Sequence, residues 1–111
     1  MHLAKAQTKY VRISPRKARL AAGLIRGLPV EDAITQLCYC NLKGGRLLKK
    51  TLNSAIANAE TQLDARRETL FVHEVRVDGG ASWKRGKSKN KGGSMPFLKR
   101  TSHFTIVLRT E

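Results

Sequence analysis

Acidic residues are scarce in this chain. Eight Asp and Glu stand against 22 Lys and Arg in 111 residues, a formal net charge of +14. A basic excess of that size on a small protein points to a polyanionic partner. Cysteine is nearly missing too: Cys38 and Cys40 are the only two, one residue apart. Side chains two positions apart on a helix point about 160° away from each other, so a disulfide between them is strained. No further cysteine pair completes a zinc site, and His2, His73 and His103 lack metal-ligand spacing. Redox and metal chemistry are therefore excluded, and no cofactor is expected. Long apolar runs are lacking: nothing approaches the roughly 18 residues of a membrane span or the apolar stretch of a signal peptide. The expectation is a soluble intracellular protein without membrane contact. The few acids scatter over predicted helix faces and loops, so no paired acid/base groups form and no enzyme is expected.

What is present suffices for one folded domain, since 41% of the residues are apolar. The basic residues are unevenly placed. Residues 1–30 hold Lys5, Lys9, Arg12, Arg16, Lys17, Arg19 and Arg26 and no acid. Residues 79–110 hold Lys84, Arg85, Lys87, Lys89, Lys91, Lys99, Arg100 and Arg109, again without an acid. Seven of the eight acids lie between Glu31 and Asp78. Two basic ends around a balanced middle imply a folded body whose termini face RNA or DNA.

Residues 3–11 alternate loosely, with Lys5, Gln7 and Lys9 on one face, and predict a half-exposed strand. Ser14-Pro15 predicts a helix start, with Ser14 as N-cap and Pro15 at the first position, where its missing N–H costs nothing. That helix is expected to run to about Arg26, with Gly27 left-handed beyond it and Pro29 as a stop. Its wheel gathers Leu20, Ala21, Leu24 and Ile25 on the core side, and Arg16, Arg19, Gly23 and Arg26 elsewhere. Arg16 and Arg19 are thus expected to be dispensable for stability. A second helix spans Val30 to about Tyr39, with Glu31 and Asp32 complementing its dipole. A third runs from Leu42 to about Glu60, capped by Asn41. Leu48, Leu52, Ala55, Ile56 and Ala59 form its buried stripe, while Lys43 and Arg46 lie off it, and Gly44-Gly45 weakens its first turns. From Leu70 to Asp78, Phe71, His73, Val75 and Val77 face one way and Val72, Glu74 and Arg76 the other. From Ser102 to Arg109, Phe104, Ile106 and Leu108 share a face, and the two strands are expected to pair antiparallel.

Between those strands, residues 79–96 are rich in glycine and lysine and cannot bury themselves. Loops this long in compact domains are functional or disordered. Continued as a ribbon turning near Lys89, the segment runs about 11 residues past Asp78, roughly 35 Å at ~3.3 Å per residue. The radius of gyration of a compact domain this size is only ~13 Å. A phosphate loop does not fit, because five residues rather than four separate Gly80 from Gly86-Lys87-Ser88, and no helix follows. A helix-turn-helix fails too, since the second helix opens with Glu31-Asp32, the wrong sign for DNA. A nonspecific DNA-compacting protein would explain the charge but has no use for a long asymmetric arm.

Arg12-Ile-Ser-Pro-Arg-Lys-Ala-Arg19, followed by Leu24-Ile-Arg-Gly27, resembles the opening of the bacterial-type large-subunit ribosomal protein twenty-two family. Ser54-Ala-Ile-Ala-Asn-Ala-Glu60, Trp83-Lys-Arg85 and Leu98-Lys-Arg-Thr-Ser-His103 resemble later segments of the family, in order and with spacing intact. The similarity spans essentially the whole chain. Departures fall at residues 86–94, richer in lysine and glycine than the usual arginine-rich tip, and at Gly44-Gly45, where alanine is commoner.

The resemblance implies an α+β fold, a small three-stranded antiparallel sheet with three helices and a long protruding basic β-hairpin. It implies one domain, with body 1–78 and 97–111 and an arm at about 79–96. It further implies a structural constituent of the large ribosomal subunit, bacterial or organellar, that binds large-subunit ribosomal RNA and lines the nascent-polypeptide exit tunnel. Its partners would be that RNA, neighbouring large-subunit proteins and the nascent peptide, with the chain monomeric in the ribosome. Carried over by position, Arg12, Arg16, Lys17, Arg19 and Arg26 are expected RNA contacts of the body. Lys84, Arg85, Lys99, Arg100, Thr101 and His103 are expected contacts of the hairpin, and Lys87, Lys89 and Lys91 join them by charge and position. Trp83 is expected either to stack on a base or sugar or to cover the start of the hairpin. No catalytic or metal-binding residue is implied.

Overall fold

The computed structural model describes residues 2–80, 83–88 and 94–110, with 83–88 and 94–99 described as backbone. In chain order the elements are β1 (His2–Val11), α1 (Pro15–Ala22), α2 (Val30–Cys38), α3 (Lys43–Gln62), β2 (Leu70–Gly79), β3 (Trp83–Ser88), β4 (Ser94–Lys99) and β5 (Ser102–Thr110). β5 lies at the centre of an antiparallel sheet ordered β1-β5-β2, and β3 pairs with β4. The fold is α+β, with three helices packed on the sheet and a hairpin protruding between β2 and β5. Gly80 N–H donates to Thr101 O at 2.9 Å, carrying the pairing just past the sheet. The outer ladder then runs from Trp83↔Lys99 to Ser88↔Ser94. The chain measures 62 × 25 × 16 Å with a radius of gyration of 17.0 Å, well above the ~13 Å of a compact domain this size. The turn expected near Lys89 lies outside the described residues.

Alternation on β5 buries Phe104, Ile106 and Leu108 completely, as the sequence pattern predicts. They meet the α3 stripe of Leu48, Leu52, Ala55, Ile56 and Ala59, also buried. Truncating Phe104 to alanine would cost about 3–5 kcal/mol, the usual penalty for emptying an aromatic site in a core.

β2 does not keep one alternation. Its buried residues are Leu70 and Val72, then Val75 and Val77. Val72 pairs with Leu108 and Glu74 with Val107, which leaves His73 as an extra residue. Such a bulge shifts every following side chain to the opposite face. Phe71 and His73 therefore do not share the face of Val75 and Val77, and Val72 joins the core instead of Glu74 and Arg76.

The first helix also corrects the wheel. α1 ends at Ala22, and turns carry the chain through Arg26 to Gly27, whose φ of +77° is the left-handed conformation expected of it. The core face is Ala18, Ala21 and Ala22, with Ile25 beyond them, while Leu20 and Leu24 are 63% and 44% exposed. Close helix packing is the cause. A Cβ on Gly44 would lie 3.2 Å from Ala18 Cα, so α1 and α3 approach closely through small residues, and the alanine face of α1 rather than its leucines is the buried one. Gly44-Gly45 thus marks an approach of elements; a Cβ on Gly45 would lie 2.9 Å from Cys40 Cβ. Cys40 sits beyond the end of α2, and Cys38 is its exposed last residue. The residue entering α3 is Leu42 rather than Asn41, and no side chain caps it, because the chain stays extended one residue further.

Candidate nucleic-acid interface

Ser14 takes an extended backbone (φ −69°, ψ 141°), and its Oγ accepts from Lys17 N–H at 3.4 Å, with Pro15 opening α1 as expected. The start of α1 carries the positive end of the helix dipole into a region that is already cationic. Two grooves flank it. The larger, about 640 Å³, is lined by Arg12, Lys17, Lys43 and Arg100 together with Leu20 and Leu42. The smaller, about 290 Å³, is lined by Arg16, Arg19 and Arg100 with Gly79, Gly80 and Thr101. Arg100 is common to both, and no acid lines either among the described residues.

The hairpin leaves the body beside these grooves. Ser102 Oγ donates to Ile13 O at 2.6 Å and ties the start of β5 to the segment entering α1. Thr101 is 2% exposed, so it serves the foot of the hairpin from inside. A Cβ on Gly80 would lie 2.5 Å from Thr101 Oγ1 and 3.2 Å from His103 Nε2, so a larger residue there would have to displace the Thr101 side chain. His103 is half-buried, and its Nδ1 accepts from Tyr10 N–H at 3.1 Å.

The expected contact residues therefore divide. Arg12, Arg16, Lys17 and Arg100 gather as exposed cations around the start of α1. Arg19 and Arg26 are exposed and bonded to β2: Arg19 donates from Nε and Nη2 to Val77 O at 3.2 and 3.0 Å, and Arg26 from Nη2 to Val75 O at 3.0 Å. Arg19 is thus tied to β2, against the expectation that it is dispensable for stability. Thr101 and His103 take up positions at the hairpin foot. Lys84, Arg85 and Lys87 fall on β3, and Lys99 ends β4 opposite Trp83. Lys89 and Lys91 lie outside the described residues, and so does any contact of the Trp83 ring.

Lys43 belongs to the larger groove, although its place off the buried stripe of α3 marks it only as a surface residue. The signal for it was the glycine pair that follows, since the close approach of α3 to Ala18 brings Lys43 beside α1. The far side of the sheet is different in character. Glu74 Oε1 accepts from Arg76 Nη2 at 2.8 Å, and this bond, with the fields of Glu74 and Asp78, holds the guanidinium above its ordinary value. That surface mixes charges of both signs, whereas the lining of the grooves is basic. Among the described residues no group of three His, Cys, Asp or Glu is placed to hold a metal, and no helix is long and apolar enough to cross a membrane.

Residues 6–109 match the family described as Ribosomal protein L22p/L17e. The Large ribosomal subunit protein uL22 of Protochlamydia amoebophila is 69% identical over 108 residues, covering 97% of each chain. The proteins of the same name from Chlamydia pneumoniae and from Chlamydia trachomatis serovar L2 are 58% and 56% identical over 104 residues, covering 94% of each chain. Nearly the whole length is matched, from within β1 to the penultimate residue of β5, and the three helices, β2 and the basic hairpin fall inside it: the chain belongs to the Ribosomal protein L22p/L17e family.

Proposed function

We propose that this structural constituent of the large ribosomal subunit grips large-subunit ribosomal RNA at the foot of its hairpin and lays the hairpin along the nascent-polypeptide exit tunnel. Family membership supports a structural rather than an enzymatic role. The observation that carries the proposal is Arg100, where two acid-free grooves meet beside the outgoing strands. Arginine forks bind two phosphate oxygens in fixed geometry, whereas lysines neutralise charge without it. Arg12, Arg16 and Arg100 therefore position RNA on the body, while Lys17 and Lys43 balance it. Arg19 and Arg26 have donors beyond those spent on β2, since a guanidinium carries five N–H groups. Lys84, Arg85, Lys87, Lys89, Lys91 and Lys99 extend the contact along the arm. Residues 1–111 act as one domain, with body 1–78 and 97–111 and an arm at about 79–96. The chain works as a monomer in the ribosome, cytoplasmic in a bacterium, beside other large-subunit proteins and the emerging peptide.

Filter binding of the full chain to transcribed bacterial large-subunit ribosomal RNA, with duplex DNA as competitor and over a salt series, tests this. Ribosomal RNA should win the competition. Deleting Lys87–Gly93 removes three lysines and should shrink the log–log salt slope by about 2–3, at ~0.7–0.9 per phosphate contact. Equal competition by DNA would overturn the RNA grip, and an unchanged slope would end the contact surface at Arg85.

A further inference from the structure

Tyr10 interrupts β1. The register with β5 runs from His2↔Thr110 to Thr8↔Phe104 and resumes only at Val11↔Ser102. Within that bulge Tyr10 takes φ +58°. Left-handed backbone is uncommon in residues with a bulky side chain, because the Cβ crowds the following carbonyl. His103 holds it there. Tyr10 N–H donates to His103 Nδ1 at 3.1 Å. The two rings meet edge to face, with centroids 4.9 Å apart at 88°. Even so, Tyr10 is 59% exposed. A core aromatic would be covered, and a casual surface tyrosine would not need a strained backbone to present it.

The surroundings decide what it is presented to. Lys9 and Arg12 flank it in the chain, and Arg100 precedes His103 on the hairpin side. Residues 1–30 contain no acid. Asp78 is paired with His103, but from the β2 side of β5, opposite β1. A fixed, outward aromatic among cations matches the way proteins take unstacked bases, with the ring on the base and the charges on neighbouring phosphates. We infer that Tyr10 is a stacking platform for an unpaired base of ribosomal RNA, held in place by His103. This inference rests on the RNA-binding proposal above and adds to it a residue outside both grooves.

Three variants of the full chain test it against transcribed large-subunit ribosomal RNA over a salt series. Tyr10→Asn keeps a residue that tolerates positive φ, Tyr10→Gly adopts it freely, and Tyr10→Phe keeps the ring. Asn and Gly should each weaken binding about 5- to 150-fold, the range for losing one base–aromatic stack. The salt slope should stay at its wild-type value, because no phosphate contact is lost. Phe should bind within about twofold of wild type by the same logic. Thermal melts identify any variant that fails to fold, and Gly stands in if Asn does. Wild-type affinity in both Asn and Gly would overturn the inference and leave Tyr10 to a protein neighbour. A Phe variant as weak as Asn would overturn it by assigning the effect to the hydroxyl. Wild-type protein that binds duplex DNA equally well would instead overturn the RNA-binding proposal itself.

Discussion

The two outer edges of the sheet are closed in opposite ways. On β2 the chain seals its own edge. Gly27 N–H donates to Val72 O at 3.1 Å, Val72 N–H donates to Leu28 O at 2.8 Å, and Pro29 bridges to Phe71. Arg26 and Arg19 continue the seal at Val75 O and Val77 O. On β1 the closure is sparser: Asn58 Nδ2 donates to Lys5 O at 3.0 Å, and exposed lysines with the bulge at Tyr10 discourage strand pairing. One edge is consumed by the fold, and the other is left presentable. The difference shows that charge alone does not identify a ligand contact. Arg16 and Arg19 lie in one basic helix and line the same groove, yet Arg19 spends donors on the carbonyl of Val77.

Removing both seal arginines is the harshest way to break this contrast. Arg19→Ala with Arg26→Ala loses three guanidinium–carbonyl bonds. Each is worth about 1.5–3 kcal/mol when well shielded, and solvent screening of these exposed side chains brings the pair to about 2–4 kcal/mol in urea unfolding. A double variant as stable as wild type would make the seal incidental. Gly27→Ala attacks the same edge through the backbone. No atom crowds its Cβ, so the cost is the left-handed conformation alone, about 1–2 kcal/mol, read as a lowered melting temperature. Asn58→Ala on the β1 edge should cost no more than about 1 kcal/mol, because one exposed bond is lost. Arg16→Ala with Lys17→Ala should leave stability within about 0.5 kcal/mol. That pair should instead cut the salt slope of RNA binding by about 1–2. A large stability loss there would erase the distinction between sealing and binding cations.

Much of this was legible in the residue pattern. Ser14-Pro15, Gly27, the α3 stripe and the alternation of β5 read correctly because each depends on local geometry or on one unbroken period. The face of β2 did not, since a single spare residue at His73 reverses parity and nothing around it in the chain announces that. Leu20 and Leu24 looked like core for the ordinary reason that leucine usually is. The helix instead buries Ala18, Ala21 and Ala22, and Ala18 lies close to Gly44 some two dozen residues away. At the candidate site, the cluster of Arg12, Arg16, Lys17 and Arg100 was visible as charge. The engagement of Arg19 and Arg26 was not, because carbonyls of a bulged edge strand have no sequence signature. Lys43 and Tyr10 join only when distant segments meet.

The central position of β5 has a consequence in time. In the sheet order β1 and β2 are joined through it, yet β5 is made after both of them. At ~5–20 residues per second, β1 waits on the order of 5–20 s for its partner during synthesis. The helices rest on local contacts and can form in that interval, whereas the sheet must wait for its long-range pairing. The newborn chain is therefore a set of helices trailing an unpaired cationic strand, an aggregation hazard in isolation and an early handle for any polyanion nearby. Truncation before Ser102 should leave it permanently in that state.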